Sequence, residues 1–358
     1  MIDGRTRQWL ERGAFLDWAP SNPRGRANTL SIFHAEFGEP DAPVLLLLHG
    51  FPTSSIDWFD VADALSREHR VCVLDVPGFG FSDKPHGERY TIARDRELVE
   101  HYLSEVLGAR TAAVVAHDRG DSVALALAAR CASGDAPFEL SHLAISNGNV
   151  FLPLSNLTAF QRLVLDATSA PELLAALTPA MLAAGMGESV FTPPRAAQDP
   201  VVASLAETFA FNDGIAVLHD TIQYLVERSE NEQDWLEALG GLQLPTTLVW
   251  GLYDTVAPLR VAAHVWNAYL ATKPGENAFW LLPRANHYPQ HDQPREFVQV
   301  IASALAGSSP QAPGPLSSEP GAPILIDRSR TALPNAKEVL ASSASLEDLA
   351  ARVTVAES

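Results

Sequence analysis

The feature that most constrains this chain is a series of short apolar runs, separated by helix-like segments, that stops once and then resumes. The runs are LSIFHAEFG, PVLLLLHG, HRVCVLDV, TAAVVAH, LSHLAISN, TTLVWG and AFWLLP. Apolar runs of about 4–8 residues bounded by Gly, Pro and Asp are buried strands. Between them lie ARDRELVEHYLSEVLG, SVALALAARCA, RVAAHVWNAYLA and REFVQVIASALA, which have helical patterning. Strand alternating with helix predicts an α/β fold with a mostly parallel central sheet covered by helices on both faces.

The alternation stops over residues 151–240. That stretch is helical throughout: LTAFQRLVLDAT, APELLAALTPAMLAAG, PVVASLAETFAF and GIAVLHDTIQYLVERS. A helical insertion of this kind is expected to cap the carboxyl edge of the sheet, where ligands of open α/β sheets bind. The core is then 29–150 with 241–306, and the cap 151–240. Residues 1–28 are polar and mixed, and are expected to form an N-terminal arm. After Gly307 the composition shifts to GSSPQAPGPLSSEPGAP. Residues 307–358 are expected to be a Pro/Ser-rich disordered tail, with one short helix within NAKEVLASSASLEDLAARV.

Charge narrows the partners. The 358-residue chain carries a formal net charge of −18 and has no basic stripe, which disfavours nucleic acid and anionic lipid and leaves a small molecule as the expected ligand. The longest pure aliphatic run, Val44–Leu48, is far too short to span a bilayer, and the N-terminus lacks a signal-type apolar stretch. A cytoplasmic location is the expectation. The two cysteines, Cys72 and Cys131, form no metal-binding pattern, so no structural zinc is expected, and the nucleophilic chemistry described below calls for neither a metal nor an organic cofactor.

Four motifs carry chemistry. In VVAHDRGDSVALALA a strand turns sharply into a helix. Such a turn exposes a nucleophile at its apex and needs small residues two positions to either side. Asp118 and Ser122 both satisfy that spacing. The apolar strand ends at Ala116, so the turn belongs at 117–120 and favours Asp118, with Ser122 in the first turn of the helix. HGFP (His49–Pro52) also follows a strand; there the N–H of Phe51, with that of Arg119, would form an oxyanion hole. Asp254 follows TTLVW and His287 follows AFWLLP. His287 lies nearer its strand than His291 and is the preferred base, with Asp254 to orient it. Each motif alone has a bland reading as helix cap, turn or solvated loop. Together they run nucleophile, acid, histidine, each after a strand, which is the α/β-hydrolase order.

LLHGFPTSSIDW, DVPGFGFSDKP, AHDRGDSVA, ISNGN and HYPQHDQP resemble α/β-hydrolases of the epoxide hydrolase and haloalkane dehalogenase group. FNDG and IQYLVER in the cap are similar to the mesoderm-specific transcript protein-like branch. The resemblance spans about residues 30–306. It implies an aspartate nucleophile and a covalent alkyl-enzyme ester on a small apolar substrate, with Tyr224 of the cap as proton donor and His49, Pro52 and His117 as further substrate-binding positions. The chain departs from that pattern at Asp121, where a small residue is usual, and at Arg119 and Phe51, where dehalogenases hold halide. Asp121 is expected to offset the charge of Arg119. Dehalogenation, a carboxylesterase using Ser122, and a non-catalytic binding protein on the same fold remain alternatives.

Overall fold

A computed structural model describes residues 4–21, 29–308 and 314–326. Its strands are β1 (Gly13–Trp18), β2 (Leu30–Phe37), β3 (Val44–Leu48), β4 (Arg70–Leu74), β5 (Thr111–His117), β6 (Glu139–Ser146), β7 (Thr246–Gly251), β8 (Ala278–Leu282), β9 (Gly314–Pro315) and β10 (Ile324–Leu325). They form one sheet in the order β1-β2-β4-β3-β5-β6-β7-β8-β10-β9. The centre, from β4 through β8, is parallel, and β1, β2, β9 and β10 pair antiparallel at the two edges. Strands β3 to β8 are the apolar runs of the sequence, almost wholly buried because helices cover both faces.

Register aligns the ends that matter. Leu48 of β3 pairs with Ala116 of β5, and His117 pairs with Ser146 of β6. Gly251 of β7 pairs with Leu282 of β8. The loops carrying His49–Pro52, Asp118, Asn147, Asp254 and His287 therefore leave one edge of the sheet together.

The chain between β6 and β7, the cap segment, is helical, and its helices are more broken than the sequence pattern suggested. Ala170–Ala176 and Pro179–Ser189 meet at 100°, across Leu177 and Thr178, where Thr178 caps the second helix by accepting from Met181 N–H. Pro200–Ile222 is long and apolar enough to cross a membrane by length and composition. In the fold it is a cap element, 56% buried, and broken by left-handed backbone at Asn212 and Asp213. Helix Tyr224–Gly241 closes the cap against the helix Arg119–Ala132.

Both chain ends depart from expectation. Residues 4–18 of the expected arm form helix Gly4–Arg12 and edge strand β1, paired along its whole length with β2. Trp9 is fully buried, stacks on Phe37 at 5.2 Å and donates Nε1–H to Ser55 Oγ at 3.0 Å. The polar residues that suggested an arm lie mostly on the outer face of this helix, and its inner contacts come from Trp9 and Leu10. Within the expected tail, β10 pairs with the β8 edge and β9 with β10, and Ile324 and Ile326 are buried. The expected helix in NAKEVLASSASLEDLAARV lies outside the described residues. Among the described residues both cysteines are free, and Cys72 is buried in β4.

Trp9→Ala should lower the unfolding free energy by about 3–5 kcal/mol, the usual loss for a buried tryptophan. Urea denaturation followed by circular dichroism measures it; a loss below about 1 kcal/mol would make the segment the loose arm its composition suggested.

Candidate active site

The β5 strand delivers Asp118 to a turn too tight for ordinary backbone. Asp118 has φ 51° and ψ −108° and immediately precedes the helix Arg119–Ala132. A non-glycine residue held there costs on the order of 1–3 kcal/mol. Crowding explains why its neighbours are small. A Cβ on Gly120 would sit 2.6 Å from Leu48 O, and one on Gly50 would sit 2.8 Å from Asp118 Cβ. The two loops must touch, and their contact is a hydrogen bond: Phe51 N–H donates to Asp118 Oδ1 at 2.8 Å.

The other carboxylate oxygen faces the histidine. His287 Nε2 lies 3.7 Å from Asp118 Oδ2, and His287 Nδ1 lies 3.0 Å from Asp254 Oδ2. Asp254 accepts only, so Nδ1 carries the proton and Nε2 presents its lone pair to Asp118. Asp254 is held on every side. Its Oδ1 accepts from Val256 N–H at 2.7 Å and Ala257 N–H at 2.9 Å, and its Oδ2 accepts from Asn147 Nδ2 at 2.7 Å. All three residues of this group are buried. Burial alone lowers the His287 pKa, but the Asp254 carboxylate, its hydrogen bond and the Asp118 charge outweigh it and leave the pKa raised above 6.5.

Other expected site residues fall in different places. Pro52 and Phe51 line a cavity of about 380 Å³ between core and cap, together with His287, Tyr288 and cap residues such as Phe160 and Met186. His49 does not reach a ligand: its Nε2 accepts from Val76 N–H at 3.2 Å, so Nδ1–H donates to Gly50 O at 2.9 Å, and both nitrogens are spent on backbone. His117 likewise donates Nε2–H to His287 O at 2.7 Å and holds the histidine loop from below. The backbone of Arg119 starts the helix beside Asp118, while its guanidinium turns away into a fully buried ion pair with Asp95. Asp95, not Asp121, is thus its counter-charge. Asp121 packs against Gly148 and accepts from Ser146 N–H at 3.3 Å, and burial raises its pKa well above the carboxylate norm.

Ser122 is fully buried in the helix, and its Oγ accepts from Arg228 Nε at 2.5 Å. His291 is committed elsewhere, with Nδ1 3.0 Å from Asp60 Oδ2 and Nε2 3.7 Å from Asp57 Oδ1. Tyr224 is fully buried, its hydroxyl has no hydrogen-bond partner among the described residues, and its ring lies under the guanidiniums of Arg119 (5.3 Å) and Arg228 (4.9 Å). Burial, then the Asp118 charge, push its phenol pKa up. Among the described residues no group of three His, Cys, Asp or Glu is arranged to hold a metal.

Residues 43–294 match the family model described as alpha/beta hydrolase fold. The chain belongs to the α/β hydrolase fold family. Among its relatives is LipZ of Mycobacterium tuberculosis, 33% identical over 306 residues that cover 85% of this chain and 99% of LipZ. The mesoderm-specific transcript homolog protein of Homo sapiens is 30% identical over 294 residues, covering 80% of this chain and 86% of its own. Among solved structures, haloalkane dehalogenase DbeA from Bradyrhizobium elkani superposes with a TM-score of 0.65 at 22% identity, covering 83% of this chain and 98% of DbeA. A thermophilic esterase from Thermogutta terrifontis gives 0.61 at 21%, covering 82% of this chain and 99% of its own. These two structures bear on the fold alone.

Three residues around this α/β hydrolase site were not singled out from the sequence. Asn147 has φ 52°, bridges Asp254 to Gly251 N–H, and stands in an Asn-Gly pair at a strand end, a turn signal that could have marked it. Tyr288 follows His287 directly and stacks against it edge-on at 5.1 Å. Arg228 reaches in from the cap; it is the last residue of IQYLVER, in which the sequence marks only Tyr224 as a site residue. Asp254→Asn should drop the His287 pKa below 6.5, because burial is then opposed by less charge. An NMR titration of the His287 ring reads this directly; an unchanged value would mean Asp254 does not set the imidazole's protonation.

Proposed function

We propose that this hydrolase-fold protein uses Asp118 as a carboxylate nucleophile on a neutral, apolar epoxide. The observation that carries the reading is the split environment of one carboxylate: Oδ1 on the Phe51 N–H, Oδ2 toward His287. A carboxylate attacks sp³ carbon and leaves an ester of the enzyme. In this reading Asp118 Oδ2 attacks an epoxide carbon, that C–O bond breaks, and the Tyr224 phenol protonates the departing oxygen. Water, losing its proton to His287 Nε2, then adds to Cγ of Asp118. The new oxyanion forms at Oδ1, where the N–H groups of Phe51 and Arg119 receive it. Collapse breaks the ester bond and the diol leaves with a proton from His287; the second water proton, left on the Asp118 carboxyl, returns to the Tyr224 phenolate, so both groups are regenerated.

Two further observations support the substrate class. Most of the residues lining the cavity beside His287 are apolar, which suits a neutral, apolar substrate. Arg119, the nearest cation to the elbow in sequence, is already neutralised by Asp95. The unpartnered Tyr224 hydroxyl favours an epoxide over a halide, since a departing halide needs no proton. An esterase working through Ser122 is disfavoured by the grip of Arg228 on that hydroxyl.

His287→Gln should accumulate an alkyl-enzyme on Asp118 when treated with a panel of terminal epoxides, seen by intact mass as a gain of one substrate mass. Asp118→Asn should give none, and Ser122→Ala should keep activity within about tenfold. No adduct in His287→Gln across epoxides and haloalkanes that the wild type turns over would reject the covalent mechanism. Tyr224→Phe should slow epoxide opening by about 10²-fold or more, the scale of a lost general acid, while any haloalkane turnover stays within about threefold. Equal losses on both would remove Tyr224 as the acid.

A further inference from the structure

Arg228 is an arginine of the cap buried completely in the molecule. Buried guanidiniums ordinarily rest on carboxylates, because an unpaired buried charge is costly. This one does otherwise. Its Nε donates to Ser122 Oγ at 2.5 Å, its Nη1 to Asn149 O at 2.8 Å, and its Nη2 to the main-chain oxygen of Asp118 at 3.1 Å. Among the described residues none of its hydrogen bonds goes to a carboxylate. The fork thus joins the cap helix Tyr224–Gly241 to the nucleophile's own peptide and to the loop two residues beyond Asn147, which holds Asp254.

The Asp118 bond has a geometric consequence. Asp118 C=O and Arg119 N–H belong to one planar trans peptide, since the cis bonds among the described residues are at Phe51–Pro52 and Thr192–Pro193. In a trans peptide the two groups point in opposite directions. Whatever fixes the oxygen aims the N–H. A cationic donor on the oxygen also polarises the amide and strengthens its N–H as a donor. Main-chain donors reach that oxygen as well: Asp121 N–H at 3.2 Å, and Ser122 N–H in the first turn of the α-helix that starts at Arg119.

We infer that Arg228 is a positioning residue for the oxyanion hole: by holding Asp118 O it aims and polarises the Arg119 N–H that receives the developing charge. The inference rests on the aspartate-nucleophile reading above. It assigns to a cap side chain a role in one chemical step. Alkylation of Asp118 places no new charge on Oδ1, whereas water attack on the ester does. Loss of Arg228 therefore slows ester hydrolysis and spares ester formation, a split that general loosening of the fold would not produce.

The test is pre-steady-state turnover of an epoxide by wild type, Arg228→Gln, Arg228→Lys and His287→Gln, with quenched samples read by intact mass. In Arg228→Gln the expected result is an Asp118 ester that accumulates, a hydrolysis rate lower by about 10²-fold, as for loss of an oxyanion donor, and an alkylation rate within about fivefold of wild type. Arg228→Lys keeps the charge but not the fork; it should accumulate less ester, and it carries the test if the glutamine variant fails to fold. Ester in His287→Gln without ester in folded Arg228 variants, or equal losses in both steps, overturns the role of Arg228 and leaves the nucleophile standing. No ester in His287→Gln overturns both.

Discussion

The backbone of Asp118 is the constraint on which the rest of the site depends. Its left-handed φ turns β5 into a helix within one residue and lifts a carboxylate above the sheet edge. Such a conformation persists only where its surroundings over-determine it. Here they do so from three sides. Gly120 lets the helix press onto the Leu48 carbonyl, Gly50 lets the neighbouring loop approach to contact, and the cap holds the peptide oxygen through Arg228. The register of β3 with β5 matters for the same reason, because it brings the Phe51 N–H level with the Asp118 carboxylate.

Around this elbow the charges are arranged in layers. Asp254 is saturated by two backbone N–H groups, an asparagine and the histidine, so it orients His287 without competing for substrate. Arg119 and Asp95 cancel each other beneath the turn. His291 is locked between Asp57 and Asp60, and Asp60 in turn binds Arg5 of the first helix through two bonds of 2.8 Å. The N-terminal segment thus braces the histidine loop. What lines the cavity after this internal pairing is mainly apolar, with the rings of Phe51 and Phe160, the His287 imidazole and the Tyr288 phenol.

Much of this was legible in the sequence where a local rule applies. Buried parallel strands are continuous apolar runs, so β3 to β8 could be read directly, and the apex fell to Asp118 because the strand ended at Ala116. The order of Asp118, Asp254 and His287 after their strands identified which loops would converge. The rest depended on contacts that sequence spacing does not encode. Strand β1 carries no buried run, its burial coming from pairing with β2, and the short β9 and β10 sit in a segment whose proline content argued against order. His49 and His117 sit beside the right residues, yet their rings bond backbone; which way a ring turns is decided by the neighbouring loop. The partner of Arg119 came from a helix some twenty residues earlier, and proximity in sequence had pointed to Asp121.

Arg228 also meets the part of the elbow beside its departure from the family pattern. Asp121 stands where a small residue is usual, and with Ser122 next to it the elbow helix offers a carboxyl and a hydroxyl. The hydroxyl accepts the arginine, and the buried Asp121 carboxyl stands close enough for its pKa to feel that cation. Tyr224 lies four residues before Arg228, so the two share one face of the cap helix and arrive at the elbow together. A single helix face therefore supplies both the proposed proton donor for the first step and the proposed support for the oxyanion of the second. The Ser122 hydroxyl and the Asp118 peptide oxygen are the surface that receives that face.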